Sequence, residues 1–134
     1  CGPTSLSMVA VYLTGNTEMN PKWMANFSEE NGYYVTDNGT AWTLMSEGAE
    51  LLGLKAKELS LREDIVAAEL RQGHPIICIM GEGDFTTSGH YIVLTGYYNG
   101  KVSVNDCNSY RNSEKLWTFS DIESQIRNLW SYTV

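Results

Sequence analysis

Apolar residues recur at helical spacing through the first half of the chain. In the first segment with this pattern, the apolar positions are Leu6, Val9, Ala10 and Leu13. This spacing predicts a helix from Pro3 to Leu13, and because its other positions are also largely apolar, we expect the helix to be buried in the centre of the fold. Two further helices are predicted to begin at Pro21 and near Trp42. Ser60 and Glu63 form a capping-box pattern, which predicts a fourth helix.

In the second half of the chain the pattern changes to that of β-strands. Ile76 to Met80 is an apolar run, and after a polar loop the segment His90 to Tyr98 predicts a second strand. Asn99-Gly100 is a strong signal for a tight hairpin, so Lys101 to Asp106 should return as the partner strand. The remaining predicted elements are a late helix with a capping-box pattern at Ser120 and Glu123 and a closing strand over Leu129 to Val134. Helices grouped before an antiparallel sheet indicate an α+β fold.

Length and charge narrow the classes of protein to consider. A chain of 134 residues is near the common size of one domain, and its apolar runs are far shorter than the roughly 20 residues of a membrane-spanning helix. The formal net charge is −7, from 16 acidic residues against 9 Lys and Arg, and no basic cluster interrupts the acidic excess. Because such a surface repels phosphate groups, neither nucleic acid nor a membrane is expected as a partner. The oligomeric state stays open.

The cysteines and histidines contain one promising nucleophile and no metal-site spacing. The chain has Cys1, Cys78 and Cys107, too few for a disulfide scaffold and an odd number, so at least one thiol is free. Cys78 lies in an apolar run and is interpreted as a core residue, whereas Cys107 is either free or bridged to Cys78. His74 is interpreted as a turn residue. The three cysteines and the two histidines, His74 and His90, match no zinc-site spacing, so we predict no metal and no cofactor.

Cys1 stands where a helix can lower the pKa of a thiol. A cysteine attacks a carbonyl only as the thiolate, and the amide groups and dipole at the start of a helix favour negative charge. Gly2 permits close approach of a substrate, and Pro3 suits the first helical position. The alternative is that Cys1 is a packing residue, as many free cysteines are.

His90 and Asp106 are the candidates for a base and for the residue that orients it. In a perfect two-residue hairpin Asp106 would face Val93, on the wrong side of the sheet from His90. One β-bulge in the first strand, for which Gly96 is the natural place, would move Asp106 opposite Ile92 and make it a diagonal neighbour of His90. The alternatives are a structural histidine and an aspartate that serves a turn.

Three motifs carry a resemblance to a known family. Cys1 to Ser5 opens a helix, Ser88 to Val93 opens a strand, and Val104 to Asp106 lies on the next strand. In this order they resemble the C39-like cysteine peptidases, papain-like relatives of the bacterial peptidases that cut bacteriocin leaders after a double glycine. The resemblance extends over nearly the whole chain. It implies one papain-like peptidase domain over residues 1–134, with N-terminal helices before an antiparallel sheet.

The resemblance also implies roles for the candidate residues. Cys1 would be the nucleophile, His90 the general base and then acid, and Asp106 the residue that holds the imidazole, with a thioester intermediate. The substrate would be a peptide or protein, and a secreted or cell-surface bacterial setting is favoured. Family members usually carry an oxyanion-hole glutamine upstream of the nucleophile, so we expect a short upstream segment to be missing from the sequence given. Cys107 stands where the family usually has proline.

Three alternatives to a triad peptidase stay open at this point. A non-catalytic peptide-binding module would keep the fold without turnover. An N-terminal-nucleophile hydrolase would use the free amine of Cys1 as its base and would leave His90 and Asp106 idle. A lipoprotein would carry lipid on Cys1, but such proteins normally have a flexible tether where this chain predicts a helix.

Overall fold

The computed structural model describes residues 2–35, 39–40, 42–86, 89–107 and 109–134, with the backbone alone for residues 34, 35, 39 and 40. The helices are α1 (Gly2–Thr14), α2 (Pro21–Glu30), α3 (Ala49–Leu51), α4 (Glu63–Arg71), α5 (Tyr110–Glu114) and α6 (Phe119–Ile122). The strands are β1 (Tyr34–Val35), β2 (Gly39–Thr40), β3 (Lys55–Glu58), β4 (Ile76–Met80), β5 (His90–Tyr98), β6 (Lys101–Asn105), β7 (Leu116–Thr118) and β8 (Ile126–Thr133). A π-helical turn, Leu44–Gly48, leads into α3, and a 3-10 turn, Glu123–Gln125, follows α6.

Strands β3 to β8 form one sheet in the order β3-β8-β4-β5-β6-β7. Every neighbouring pair in this sheet is antiparallel. Strands β4 to β7 are consecutive neighbours, whereas β8, the last strand, returns between β3 and β4. The short strands β1 and β2 pair with each other. Helices followed by an antiparallel sheet confirm the predicted α+β class.

Helices α1 and α2 and the segment around α3 cover one face of the sheet. The buried apolar side chains from this helical layer include Leu6, Val9, Ala10, Met24, Leu44 and Met45, and those from the sheet include Ile77, Tyr91, Val93, Trp130 and Tyr132. Each fully buried side chain of this size contributes roughly 1.5–3 kcal/mol relative to exposure. Helix α1 is therefore a core helix, as predicted, but Tyr12 is 69% exposed, so one side of it faces solvent.

Helices α4 and α6 cover the opposite face of the sheet. The buried cluster on this side includes Val66, Leu70, Ile76, Cys78, Met80, Ile92, Leu94, Phe119 and Ile122. Because both faces are covered, alternate residues of β4 enter different cores: Ile77 packs on the α1 side, and Ile76 and Cys78 pack on the α4 side. This arrangement explains the unbroken apolar run that predicted β4.

The β5–β6 hairpin contains the bulge that the sequence requires. Its turn has positive φ at both central residues, 51° at Asn99 and 84° at Gly100, as tight hairpin turns with the twist of the flanking strands require. The pairing shifts between Leu94 and Gly96, which leaves Thr95 as the extra residue. The predicted single bulge is confirmed, one position before Gly96.

Both helices predicted from a capping-box pattern are present as α4 and α6, but neither predicted cap is formed. Helix α4 begins at Glu63, and the residue before it, Arg62, makes no side-chain cap, so Ser60 lies outside the helix. Ser120 lies inside α6 and does not cap it. For α4, Glu63 in the first turn is favoured by the positive end of the helix dipole, which helps to start the helix without a capping side chain.

Five elements in the described ranges lack a sequence prediction, namely β1, β2, β3, β7 and α5, and the third helix was predicted differently. Strands β3 and β7 are short and their positions are mostly exposed or half-buried, and α5 is a five-residue helix with no buried side chain. The third helix is replaced over most of its length by the π-helical turn. There Gly48 packs so closely that a Cβ atom would lie 2.9 Å from Leu44 Cδ1. None of the helices in the described ranges combines the length and apolar character that a bilayer crossing requires.

Candidate active site

His90 is the first residue of β5 and pairs across the sheet with Met80. The backbone N–H of Gly89 donates to Thr86 Oγ1 at 3.1 Å, which anchors the chain just before the strand. His90 is 6% exposed, so the imidazole is held within the fold at the end of the sheet and not on a mobile loop.

Asp106 follows the last residue of β6. The ladder pairs Asn105 with Val93, and its continuation sets Asp106 opposite Ile92, as the bulge predicted. Asp106 is 5% exposed. Two strands that are consecutive in the chain therefore deliver His90 and Asp106 to the same end of the sheet.

The two side chains form a buried charge-assisted pair. His90 Nε2 donates to Asp106 Oδ1 at 2.6 Å, and the side chains are 5% and 1% exposed. With Asp106 as the carboxylate acceptor, Nε2 carries the proton of the neutral imidazole, and Nδ1 carries the lone pair. This arrangement leaves Nδ1 as the nitrogen that can exchange a proton with a reacting group.

Helix α5 holds Asp106 from the other side. Asn112 Nδ2 donates to Asp106 Oδ2 at 3.1 Å, so the two carboxylate oxygens accept from different side chains. The backbone N–H of Asp106 donates to Ser113 Oγ at 2.8 Å. Ser109 caps the helix by accepting from the backbone N–H of Asn112 at 3.0 Å. The carboxylate is thus fixed in orientation before any substrate binds.

The first turn of α1 is attached to β5 beside His90. Ser5 Oγ donates to the carbonyl oxygen of Tyr91 at 3.4 Å, and both residues are buried. Helix α1 is 13 residues long, so its N-terminus carries the partial positive charge of an extended helix. The predicted nucleophile, Cys1, directly precedes this turn and lies outside the described residues.

Cys78 is a free thiol in the core. Its side chain is fully buried, and burial raises the pKa of the Cys78 thiol far above its ordinary value. A thiol in that state is neither ionised nor accessible, so Cys78 is a structural residue, as predicted.

Cys107 lies in the site itself. Its sulfur, a ring nitrogen of His90 and a carboxylate oxygen of Asp106 all lie within 4.8 Å of one another. Cys107 is half-buried and is part of a disulfide, whereas Cys78 is free. Both readings predicted for Cys107, a free thiol and a bridge to Cys78, are therefore wrong.

The cluster of His90, Asp106 and Cys107 has the donor types of a metal site, which the sequence spacing did not indicate. In the described arrangement His90 Nε2 is engaged with Asp106, and the Cys107 sulfur is in a disulfide and so cannot bind a cation as a thiolate. The absence of a metal stays a prediction. His74 lies apart from this cluster in the described fold, with Nδ1 3.1 Å from Glu69 Oε1.

Sequence reasoning missed Asn112 and Ser113 because α5 was not predicted. The local signal was present: Ser109 three residues before Asn112 is an N-cap pattern. What the pattern could not reveal is that the helix packs on Asp106, because that contact depends on where β6 ends.

Comparisons with known proteins identify the family and the fold. The sequence profile of the Peptidase C39 like family matches residues 1–134. A comparison with curated protein sequences finds no match. The chain is similar in structure to the peptidase domain of Streptococcus ComA, a bi-functional ABC transporter involved in a quorum-sensing pathway, with 17% identity and a TM-score of 0.71 over 99% of this chain and 90% of that chain.

A Bacillus anthracis protein assigned as a C39-like peptidase is also similar, with 18% identity and a TM-score of 0.60 over 100% of this chain and 88% of that chain. At these identities the two structures show the fold alone, and they confirm the predicted papain-like α+β architecture. The profile match spans the whole length of the sequence. This chain therefore belongs to the Peptidase C39 like family, a family of cysteine peptidases.

Proposed function

We propose that this chain hydrolyses peptide bonds as a cysteine peptidase in which Cys1 is the nucleophile, His90 the general base and acid, and Asp106 the residue that orients His90. The observation that carries the proposal is the buried 2.6 Å bond from His90 Nε2 to Asp106 Oδ1. In a nucleophilic triad the base is a histidine that a buried carboxylate orients in this way. We further propose that residues 1–134 act as a single peptidase domain on a peptide or protein substrate.

The attachment of α1 to β5 supports Cys1 as the third member. The bond between Ser5 and the Tyr91 carbonyl brings the start of α1 beside the residue that follows His90. Cys1 directly precedes this helix in the sequence, and the proposal requires its sulfur to come within reach of Nδ1 of His90. Cys78 is excluded as the nucleophile by its complete burial.

The reaction uses each group in turn. His90 Nδ1 takes the thiol proton, and the Cys1 thiolate attacks the carbonyl carbon of the peptide bond. The imidazolium, stabilised by Asp106, gives that proton to the departing amine as the C–N bond breaks, which leaves a thioester. Water then loses a proton to His90 and attacks the thioester, and the C–S bond breaks as the proton returns to sulfur.

The proposal is tested by thiol reactivity in the reduced full-length encoded protein. Iodoacetamide is added below stoichiometry, and the labelled cysteines are identified by peptide mass spectrometry. We expect Cys1 to react faster than Cys107 and much faster than Cys78, because only Cys1 combines the positive end of a helix with His90. The matched variant His90→Ala should slow labelling of Cys1 and leave Cys78 unchanged.

A cleavage assay separates a peptidase from a binding module. Peptides with and without internal double-glycine sequences are incubated with the protein and with Cys1→Ala. Turnover that is abolished in Cys1→Ala supports the proposal. Peptide binding without turnover, unchanged by Cys1→Ala, would establish the non-catalytic alternative. Turnover that survives Cys1→Ala but not Cys107→Ser would move the nucleophile to Cys107.

A further inference from the structure

Cys107 is placed beside the proposed base without a part in the proposed reaction. Its sulfur is within 4.8 Å of a His90 ring nitrogen and of an Asp106 carboxylate oxygen. Acyl transfer needs one sulfur, and the triad of Cys1, His90 and Asp106 already supplies it. A second cysteine at this distance from the imidazole therefore calls for a different chemical explanation.

The bonding of the cysteines supplies that explanation. Cys107 is part of a disulfide, and Cys78 is a free, fully buried thiol. The chain contains only one other cysteine, Cys1. Within one chain, Cys1 is therefore the remaining partner for Cys107, and the peptidase mechanism independently requires the Cys1 sulfur to approach His90.

We propose that Cys107 is a resolving thiol, which forms a reversible disulfide with Cys1 and so switches the peptidase off under oxidising conditions. This inference rests on the proposed function, because it regulates the nucleophile of that site. The Cys107 sulfur lies within 4.8 Å of a His90 ring nitrogen, and the proposed mechanism requires the Cys1 sulfur to reach the same imidazole. Half-burial of Cys107 leaves the site open to a small oxidant, in contrast to Cys78.

The chemistry balances with a low-molecular-weight disulfide as the oxidant. The Cys1 thiolate attacks one sulfur of the oxidant, the oxidant's S–S bond breaks, and one thiolate leaves. The Cys107 thiolate then attacks the Cys1 sulfur of this mixed disulfide, and the second small thiolate leaves. Two protein thiols are oxidised, one disulfide is reduced to two thiols, and the two protein protons end on them. An excess of small thiol reverses both steps.

The switch also protects the nucleophile. A low-pKa thiolate is the form of cysteine most susceptible to oxidation, and its higher oxidation states are not reversed by thiols. A neighbouring thiol that captures the first oxidised form as a disulfide keeps the enzyme recoverable. Protection of the nucleophile is a chemical reason for a cysteine directly after Asp106 in the sequence, because that position places the cysteine beside the proposed catalytic residues.

The test uses the reduced full-length encoded protein in buffers of fixed ratios of oxidised to reduced glutathione. Samples are quenched in acid, alkylated, and digested without reductant for mass spectrometry, and cleavage activity is measured in parallel. We expect a disulfide-linked pair of the peptides that contain Cys1 and Cys107, formed as activity is lost. Dithiothreitol should restore both the thiols and the activity. The variant Cys78→Ala should behave like the parent protein.

Cys107→Ser is the decisive variant. Under oxidised glutathione it should accumulate one glutathione on Cys1, which the parent protein does not retain. A parent protein that retains glutathione on Cys1 without the Cys1–Cys107 pair would overturn the inference, as would a disulfide between two chains. If the reduced enzyme is active but the Cys1–Cys107 disulfide does not form on oxidation, the switch is wrong and the proposed function is unaffected. If the Cys1–Cys107 disulfide forms but the reduced protein cleaves no peptide, both the proposed function and the proposed switch are wrong.

Discussion

At the scale of single residues, the site depends on a buried polar network, and hydrogen bonds within it must compensate for the removal of its groups from water. Removing a carboxylate and an imidazole from water is unfavourable unless each polar atom finds a partner. His90 Nε2 and Asp106 Oδ1 satisfy this condition through their mutual bond, and Asn112 satisfies the second carboxylate oxygen. The network fixes the orientation of the imidazole, which a base must have before the substrate arrives.

Asn112 is predicted to act as a positioning residue through Asp106. In Asn112→Leu the carboxylate loses one donor, and because bonds to charged groups contribute roughly 1.5–3 kcal/mol, kcat/KM should fall about tenfold or more. The loss should lie in kcat with little change in KM, since Asn112 reaches the substrate only through Asp106 and His90. Steady-state kinetics with a peptide substrate measures both.

The matched control for Asn112 is Arg111→Ala, which changes an exposed neighbour on the same short helix. It should leave kcat and KM unchanged. A normal kcat in Asn112→Leu would contradict the prediction, because it would show that the other contacts of Asp106 are sufficient to orient its carboxylate. A loss in both variants would indicate a general disturbance of α5.

At the scale of elements, one irregularity in a hairpin decides whether the site can form. Side chains alternate faces along a strand, so a shift of one residue would turn Asp106 away from His90. The bulge at Thr95 absorbs one residue and leaves Asn105 opposite Val93. The site thus depends on strand register as much as on the identities of its residues.

Two single-residue deletions separate register from local contacts. Thr95 and Ser103 are hydrogen-bonded to each other, with 2.6 Å between Thr95 Oγ1 and Ser103 Oγ, so either deletion removes the same bond. Deletion of Thr95 removes the unpaired residue and keeps Asp106 opposite Ile92. Deletion of Ser103 from the unbulged strand displaces Asp106 toward Val93 or beyond it.

The Thr95 deletion should therefore keep His90-dependent labelling of Cys1 within a few-fold of the parent rate, whereas the Ser103 deletion should lose it. Circular dichroism checks that each protein is folded, and iodoacetamide labelling measures the effect. Equal losses in two folded proteins would show that the bend of the bulge, and not the register, is what the site requires.

At the scale of the whole molecule, the sheet is covered on both faces, and polar contacts connect strands β3 and β8 to helix α4. Glu69 on α4 is the centre of one such contact. Burial opposes its ionisation, but hydrogen bonds with Ser131 and His74 and attraction to Lys57 and His74 outweigh this, so the pKa of Glu69 is lowered from its ordinary value of 4.5. The contact joins α4 to β8 and β3.

This lowered pKa predicts a pH-dependent contribution to folding. A carboxyl group whose pKa is lower in the folded state stabilises the fold above its unfolded pKa of about 4.5, and the contribution is lost as the pH falls through the folded value. Glu69→Gln should therefore lower the free energy of unfolding by about 1 kcal/mol near neutral pH. The difference from the parent protein should shrink as the pH falls below 4.5.

Urea unfolding at several pH values, followed by circular dichroism, measures this dependence. The control is Glu50→Gln, which neutralises an exposed acid and removes the same formal charge. It should have little effect at any pH. A constant difference between the parent protein and Glu69→Gln down to strongly acidic pH would contradict an electrostatic origin.

The sequence by itself determined those features that depend on local pattern. Helical spacing predicted α1, the apolar run predicted β4, and Asn99-Gly100 predicted the hairpin, because each signal lies within a few neighbouring residues. Even the bulge followed from counting, since only one extra residue lets Asp106 reach His90. Cys1 as the nucleophile stays a prediction, since it lies outside the described residues.

Only the tertiary structure decided which residues surround His90 and Asp106. Asn112 and Ser113 reach Asp106 because α5 folds back on the end of β6, and no periodicity marks so short a helix. Strand β3 exists because β8 returns beside it, which overrides its weak local preference. Cys107 was visible as a cysteine, but its place beside His90 and its disulfide depend on contacts between distant segments, which a local pattern cannot encode.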